Sequence, residues 1–362
     1  MIEHHPWVIY NEAGSGTHLL SGGQMRSYLS VTDAMSTLEN GFLLAPFVPS
    51  PSRPILFYAA DNIIQNADDV QIAQFYQQTI HPSFPTKISA GSPSVTPGTT
   101  DKQDYLSGVQ SLTGRLCKHE MEKVVVSRIT VIPPLQADHL LRVFLALKTA
   151  YPLAFVYLGY FPGQGIWMGA SPEQLIRCQG RSCETMALAG TRLRGTSEDW
   201  GAKEIEEQGI VSRYIRDILL SQSMQDITQT EPHTRAAGHL EHLCTGFSFQ
   251  LPEMTAPGPL IQALHPTPAI CGLPLESALS WIQANEKHER AYYSGFLGPC
   301  HANGNISLYV NLRCMQMTNH GTMLYSGGGI TCQSDPLHEW EETEHKAQTL
   351  LSVIEKVRFL SG

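Results

Sequence analysis

Residues 325–350 read YSGGGITCQSDPLHEWEETEHKAQTL, a strand-like approach, a run of three glycines and the start of a helix. The bare amides of Gly327, Gly328 and Gly329 can close on an anion because no Cβ stands in the way. Asp335 suits an N-cap, Pro336 suits the first helical position, and acidic residues fill the opening turns. Glu339, Glu342 and Lys346 follow at i, i+3 and i+7, so they project from one face. Trp340, Ala347, Leu350, Leu351 and Ile354 form a neighbouring stripe for packing. Two carboxylates and an ammonium beside an amide nest suit a divalent cation next to an anionic ligand. The same spacing suits a solvated helix with an ordinary Glu342–Lys346 bridge. This stretch alone leaves both readings open.

Working outward, residues 308–317 (LYVNLRCMQM) read as one strand in which Arg313 interrupts apolar company and needs a partner. Residues 203–222 give the clearest helix, with Val211, Tyr214, Ile215 and Ile218 as its apolar stripe. Glu207 lies on that stripe, where a carboxylate is costly unless paired or bound to a metal. Residues 184–195 (ETMALAGTRLRG) read as a strand ending at Gly190, where amides become accessible. Glu173, in SPEQLIRCQ, sits where the chain leaves the preceding strand. Residues 123–132 (KVVVSRITVI) are a β-branched strand opened by Lys123.

The rest supplies a frame. Helical spacing is present over 105–122, 136–149 and 275–293, and strands over 153–161 and 165–170 joined by PGQG. Residues 238–251 read as a short strand or turn, and 260–274 as Pro-rich and irregular. Upstream, LLSGG, GFLLAPF and RPILFYAADN look like short strands. A Ser/Pro/Gly-rich loop near 84–103 separates an N-terminal layer (1–104) from a catalytic core (105–362) within one expected domain.

Composition narrows the function classes. A net charge of −9 with no basic block argues against nucleic acid. No run approaches a membrane span and no signal-type N-terminus is seen, so a cytoplasmic protein is expected. Cys117, Cys178, Cys183, Cys244, Cys271, Cys300, Cys314 and Cys332 make no CxxC pair or zinc spacing. Most sit in apolar settings, which predicts buried free thiols rather than disulfides.

In order, KVVVSR, GASPEQL, LAGTR, KEIEEQ, EHLCT, LHPTPAICGLP, ERAYYSG, NLRC, SGGGI and SDPLHEWEETEHK resemble the chorismate-utilising enzymes, and among them most closely the isochorismate synthases. The resemblance runs from about residue 120 to the end. It implies an α+β fold, with two packed antiparallel sheets, helices outside and a site opening at one edge. It also implies Mg²⁺-dependent interconversion of chorismate and isochorismate, with water added at ring C2 as the C4 hydroxyl leaves. By the same resemblance Lys123 is the general base and Glu173 the general acid, and Glu207 and Glu342 hold the metal. Gly190 and Thr191 cradle the ring carboxylate. Arg313, the Gly327 amide and Lys346 grip the enolpyruvyl carboxylate, and Ala269 lines the pocket floor.

Three features resemble isochorismate synthases more than amine-forming relatives: Lys123, Ala189 and the HPTPA segment. Salicylate synthase is the runner-up, and a silent chorismate binder the alternative from another class. Gln208 departs from the family's histidine, and SGGGI from its commoner Ala-Gly-x-Gly-Ile. The resemblance leaves monomer or homodimer open, and a product feeding menaquinone, siderophore or salicylate synthesis.

Overall fold

The computed structural model describes residues 5–36, 39–80, 98–318 and 321–359. Most of the loop read over 84–103 lies outside the described residues. In chain order the strands are β1 Trp7–Glu12, β2 Gly16–Ser21, β3 Gln24–Tyr28, β4 Gly41–Ala45, β5 Ile55–Ala59, β6 Asn62–Ile64, β7 Lys123–Ile132, β8 Phe155–Phe161, β9 Gly165–Ser171, β10 Gln174–Gln179, β11 Ser182–Leu193, β12 Gln225–Gln229, β13 His233–Ala237, β14 Leu240–Gln250, β15 Gly272–Leu273, β16 Phe296–Cys300, β17 Ile306–Val310, β18 Cys314–Thr318 and β19 Gly321–Ile330. The helices are α1 Val31–Ala34, α2 Asp69–Phe75 (prolonged by a π turn), α3 Lys102–Leu116, α4 Ala137–Ala150, α5 Ala202–Ser221, α6 Gly258–Leu264, α7 Leu275–Asn285 and α8 Pro336–Phe359.

Two antiparallel sheets face each other. One runs β15-β7-β19-β18-β9-β8-β1-β2-β6, and the other β12-β14-β11-β10-β17-β16-β4-β5-β3, with β13 also on β14. Strand β8 shows why they stack. Its odd positions, Phe155, Tyr157 and Phe161, enter the core between the sheets with Phe42, Leu44, Tyr58 and Trp167. Its even positions, Val156 and Leu158, face helices α4 and α8 through Leu140, Phe144, Leu350 and Ile354. Alternation with both faces apolar is the signature of a strand covered on each side. Helices α5 and α6 cover the second sheet through Val211, Ile215, Leu260 and Ile261. The expected α+β architecture with helices outside is therefore the one found.

The N-terminal strands extend the sheets: β1 pairs with β8 and β4 with β16. They lie toward the β6 and β3 edges. Strands β7, β19, β11 and β14 crowd the other edges, where the chemically suggestive residues fall.

Several local expectations are corrected. Residues 308–317 are not one strand: β17 belongs to the second sheet and β18 to the first. The chain crosses between them at 311–313, where Arg313 has φ 47°. Strand β11 does not end at Gly190 but bulges there, the register passing from Ala189↔Leu243 to Thr191↔His242. The segment 238–251 contains an eleven-residue strand, stabilised by partners on both sides that local sequence does not reveal. Residues 260–274 hold the end of α6 and the short β15, and the helix over 275–293 stops at Asn285.

The cysteine expectation fails for four of the eight. Cys178 and Cys183 face one another across the β10–β11 hairpin and are bonded. Cys117, capping α3, bonds Cys332, which follows β19, over a sequence separation of 215 that no local pattern could reveal. Cys244, Cys271, Cys300 and Cys314 are free and buried, as expected.

Candidate active site

A cleft opens where the glycine run of β19 passes between α5 and α8, beside the β11 bulge. Glu173, Gly190, Thr191, Glu207, Ala269, Arg313, Gly327 and Lys346 all line it. Lys123 stands behind Glu207 with no exposed surface, and Glu342 lines an adjoining opening with Lys203 and Glu339. The ten residues singled out in the sequence thus gather in one region.

Charge is matched pair by pair. Lys123 Nζ lies 2.9 Å from Glu207 Oε1, an ion-pair distance without hydrogen-bond geometry. Lys203 Nζ lies 2.5 Å from Glu339 Oε1, and Lys346 Nζ 2.5 Å from Glu342 Oε1. Lys346 also donates to the Gly327 carbonyl at 2.9 Å. Each pair is secluded from water, where a lone charge would be strongly destabilised.

The glycines make this convergence possible. A Cβ on Gly329 would stand 2.2 Å from Glu207 Oε1 and 2.7 Å from Lys123 Cε. One on Gly328 would stand 3.0 Å from Glu339 Oε2 and 3.7 Å from Glu342 Oε1. Carboxylates from two helices therefore close on bare backbone. Among the described residues no three acidic, His or Cys side chains are drawn together tightly enough to hold an ion. Each is turned to a lysine instead. The donors are nonetheless all carboxylate oxygens, and Glu339 Oε2 is buried without a hydrogen-bond partner. Such a set fits a hard divalent cation.

Proton affinities follow burial. Desolvation pushes the Glu173 carboxyl up to about 8, against the pull of Lys123 and Lys346, so it holds its proton at neutral pH. Burial and then the Glu342 charge raise Glu339 to about 7 despite Lys203. Burial opposes ionisation of Glu342 too, but Lys346 and Lys203 outweigh it and hold that carboxyl below its ordinary value.

His242 ties the two ends of the cleft together. Its Nδ1–H donates to the Gly190 carbonyl at 3.0 Å, leaving Nε2 to accept from Arg313 Nη2 at 3.3 Å. Burial, then Arg313 and Lys346, lower its pKa to about 3, so the ring stays neutral in this bridging tautomer. Arg313 Nη1 donates to Thr349 of α8 at 3.0 Å. The β11 bulge leaves Gly190 with no strand partner and with φ +72°, which favours glycine.

Three further participants join the ten, of which Lys203 and His242 had no role assigned from sequence, while Glu339 was read there as one of two carboxylates suited to a cation. Glu339 was visible on the Glu342 face of α8. Lys203 lies four residues before Glu207, one helical turn away on the same face, so its signal was present. His242 was not legible, because it meets Thr191 only through the β11–β14 pairing.

Comparison with known proteins gives the chain a family. A family model described as "Chorismate binding enzyme" matches residues 53–355. The chain is 30% identical over 261 residues to the vibriobactin-specific isochorismate synthase of Vibrio cholerae, covering 69% of this chain and 66% of that protein. It is 27% identical over 384 residues to a putative isochorismate synthase MenF of Mycobacterium tuberculosis, covering 97% of each. The matched part thus spans just under two thirds of the Vibrio protein and nearly all of the mycobacterial one. A Bacillus anthracis structure titled as a putative 2,3-dihydroxybenzoate-specific isochorismate synthase superposes with TM-score 0.79 at 21% identity, covering 96% of this chain and 95% of that one. The anthranilate synthase component I of Streptococcus pneumoniae gives TM-score 0.70 at 16% identity, covering 97% and 93%. At such identities these two structures speak for the fold alone.

Proposed function

The chain belongs to the chorismate-binding enzymes, and from that premise we propose that it is an isochorismate synthase, interconverting chorismate and isochorismate. What supports this reading best is Glu173: a fully buried carboxyl, protonated at neutral pH, in the same cleft as Arg313 and Lys346. A departing C4 hydroxyl needs such an acid.

Chorismate is a dianion. Arg313, Lys346 and the Gly327 amide hold its enolpyruvyl carboxylate, and the Gly190–Thr191 bulge receives the ring carboxylate. Ala269 bounds the floor of the cleft. Lys123 is the base that takes a proton from the water that adds at C2. Glu173 gives its proton to the C4 hydroxyl as that bond breaks, while the ring double bonds shift. His242 keeps Arg313 and the bulge in fixed relation. Glu207 and Glu342, with Glu339 beside them, would hold Mg²⁺, which supplies charge neutralisation at the ring carboxylate. Lys123 and Ala189 stand where amine-forming relatives resemble one another in carrying glutamine and lysine, and this favours water as the nucleophile.

The test is incubation with chorismate and Mg²⁺ and separation of products. Isochorismate as the accumulating product is expected. Fluorescent salicylate would overturn the assignment in favour of pyruvate elimination, and unconsumed chorismate would overturn it in favour of a silent binder.

A further inference from the structure

A second cavity backs onto the cleft and shares Arg313 and Pro172 with it. Its walls are largely apolar: alanines and prolines from the α4–β8 turn, the end of β9 and the β13–β14 turn. The Tyr151 ring lies close against Gly238, where a Cβ would stand 2.1 Å from Tyr151 Cε1. Three guanidinium groups line this space, those of Arg194, Arg235 and Arg313, with no Asp or Glu among the described residues around it. In a chain of net charge −9 that is a local reversal of sign.

The arginines differ in how they are held. Arg313 is buried and fixed by Thr349 and His242. Arg235 is half-buried and donates at 3.5 Å to the Met186 sulfur, a weak acceptor. Arg194 is exposed. Neither Arg194 nor Arg235 meets a carboxylate among the described residues. Half-buried guanidinium groups are ordinarily matched by anions. An apolar space with an aromatic wall and unmatched cations suits a small carboxylate with a flat apolar body.

We infer that this cavity is a second ligand site, taking an aromatic or cyclic monocarboxylate distinct from the molecule in the cleft. The carboxylate pairs with Arg235 and Arg194, and the ring lies against Tyr151 and Pro172. Since Arg313 borders both spaces, an occupant here is sensed at the residue that grips the substrate.

Benzoate serves as the probe, titrated calorimetrically into the full-length chain at low ionic strength. Arg235→Met is expected to weaken benzoate binding by about tenfold, the loss of one charge-assisted pair, and Arg194→Met by a smaller factor. Lys346→Met, which alters only the cleft, should leave benzoate affinity within about twofold. Equal benzoate affinity in wild type and both arginine variants overturns the proposal, as does weakening by Lys346→Met instead. So does the absence of wild-type binding up to about 10 mM. Displacement by equimolar inorganic phosphate overturns the requirement for a ring. Because the readout is binding rather than turnover, failure here is separable from failure of the isochorismate assignment.

Discussion

Glu173 offers a prediction that does not depend on knowing the product. In the native protein its carboxyl keeps a proton up to about pH 8, whereas unfolding returns it to an ordinary value near 4.5. Below 4.5 both states are protonated and the group is neutral to stability. Between those two values the unfolded chain has released the proton and the native one has not. Native stability therefore falls as pH rises, by about 1.4 kcal/mol per pH unit. At pH 7 the accumulated cost is about 3 kcal/mol. Glu173→Gln removes the titration while keeping size and shape. The stability difference between variant and wild type should thus grow with pH from about 5 to 8, whatever constant offset the amide adds. Urea unfolding in EDTA, followed by the fluorescence of the five tryptophans, measures it. The variant should also lose turnover by about 10²–10⁴-fold, so that it gains stability and loses activity together. A difference flat to within about 0.5 kcal/mol across that range would show the carboxyl to be ionised in the native state and remove the acid from the mechanism.

Lys123→Gln should lower turnover by about 10²–10⁴-fold, and near-full turnover would refute the base. EDTA should bring chorismate consumption to background, and Mg²⁺ should restore it. Mg²⁺ at a hundred times its Kd should also raise stability by about 2.7 kcal/mol, read as a shift in thermal midpoint. Lys203→Met should tighten Mg²⁺ binding by about tenfold in calorimetry, because an ammonium competing for Glu339 is gone; unchanged or weaker binding refutes that role.

What sequence could show depended on the range of the interaction. Glu207 was legible because a carboxylate on the Val211–Ile215 stripe breaks a 3.6-residue pattern, and helix α5 carries that pattern by itself. Lys123 was legible as the first residue of KVVVSRITVI, which is β7 from end to end. The frame of two antiparallel sheets was expected, but the pairing within them was not, since neither β1 against β8 nor β14 between its neighbours leaves a local trace. The Arg313 crossover failed for a related reason. LYVNLRCMQM keeps strand composition straight through a change of sheet, and only the positive φ at Arg313 reveals the break. His242 and the Cys117–Cys332 bond are long-range in the same sense: the residues are plain in the sequence, and their partners are set by the fold.

Residues 325–350 admitted two readings, an ordinary i,i+4 bridge or a ligand site, and the structure shows why they do not compete. Glu342 and Lys346 do form the bridge, at 2.5 Å with side chains 20% and 16% exposed. Helix α8 lays it along a strand stripped of side chains, so the ammonium reaches on to the Gly327 carbonyl. Isolated on a surface, such a pair contributes little. Set in this cleft with Lys123–Glu207 and Lys203–Glu339, it is one of three ion pairs whose opposite charges offset the cost of taking each out of water. In the proposed reaction, a cation and an anionic ring acid entering together would exchange these internal partners for external ones. The glycines are the condition for all of it, since a single methyl at position 329 would occupy the place of the Glu207 carboxylate.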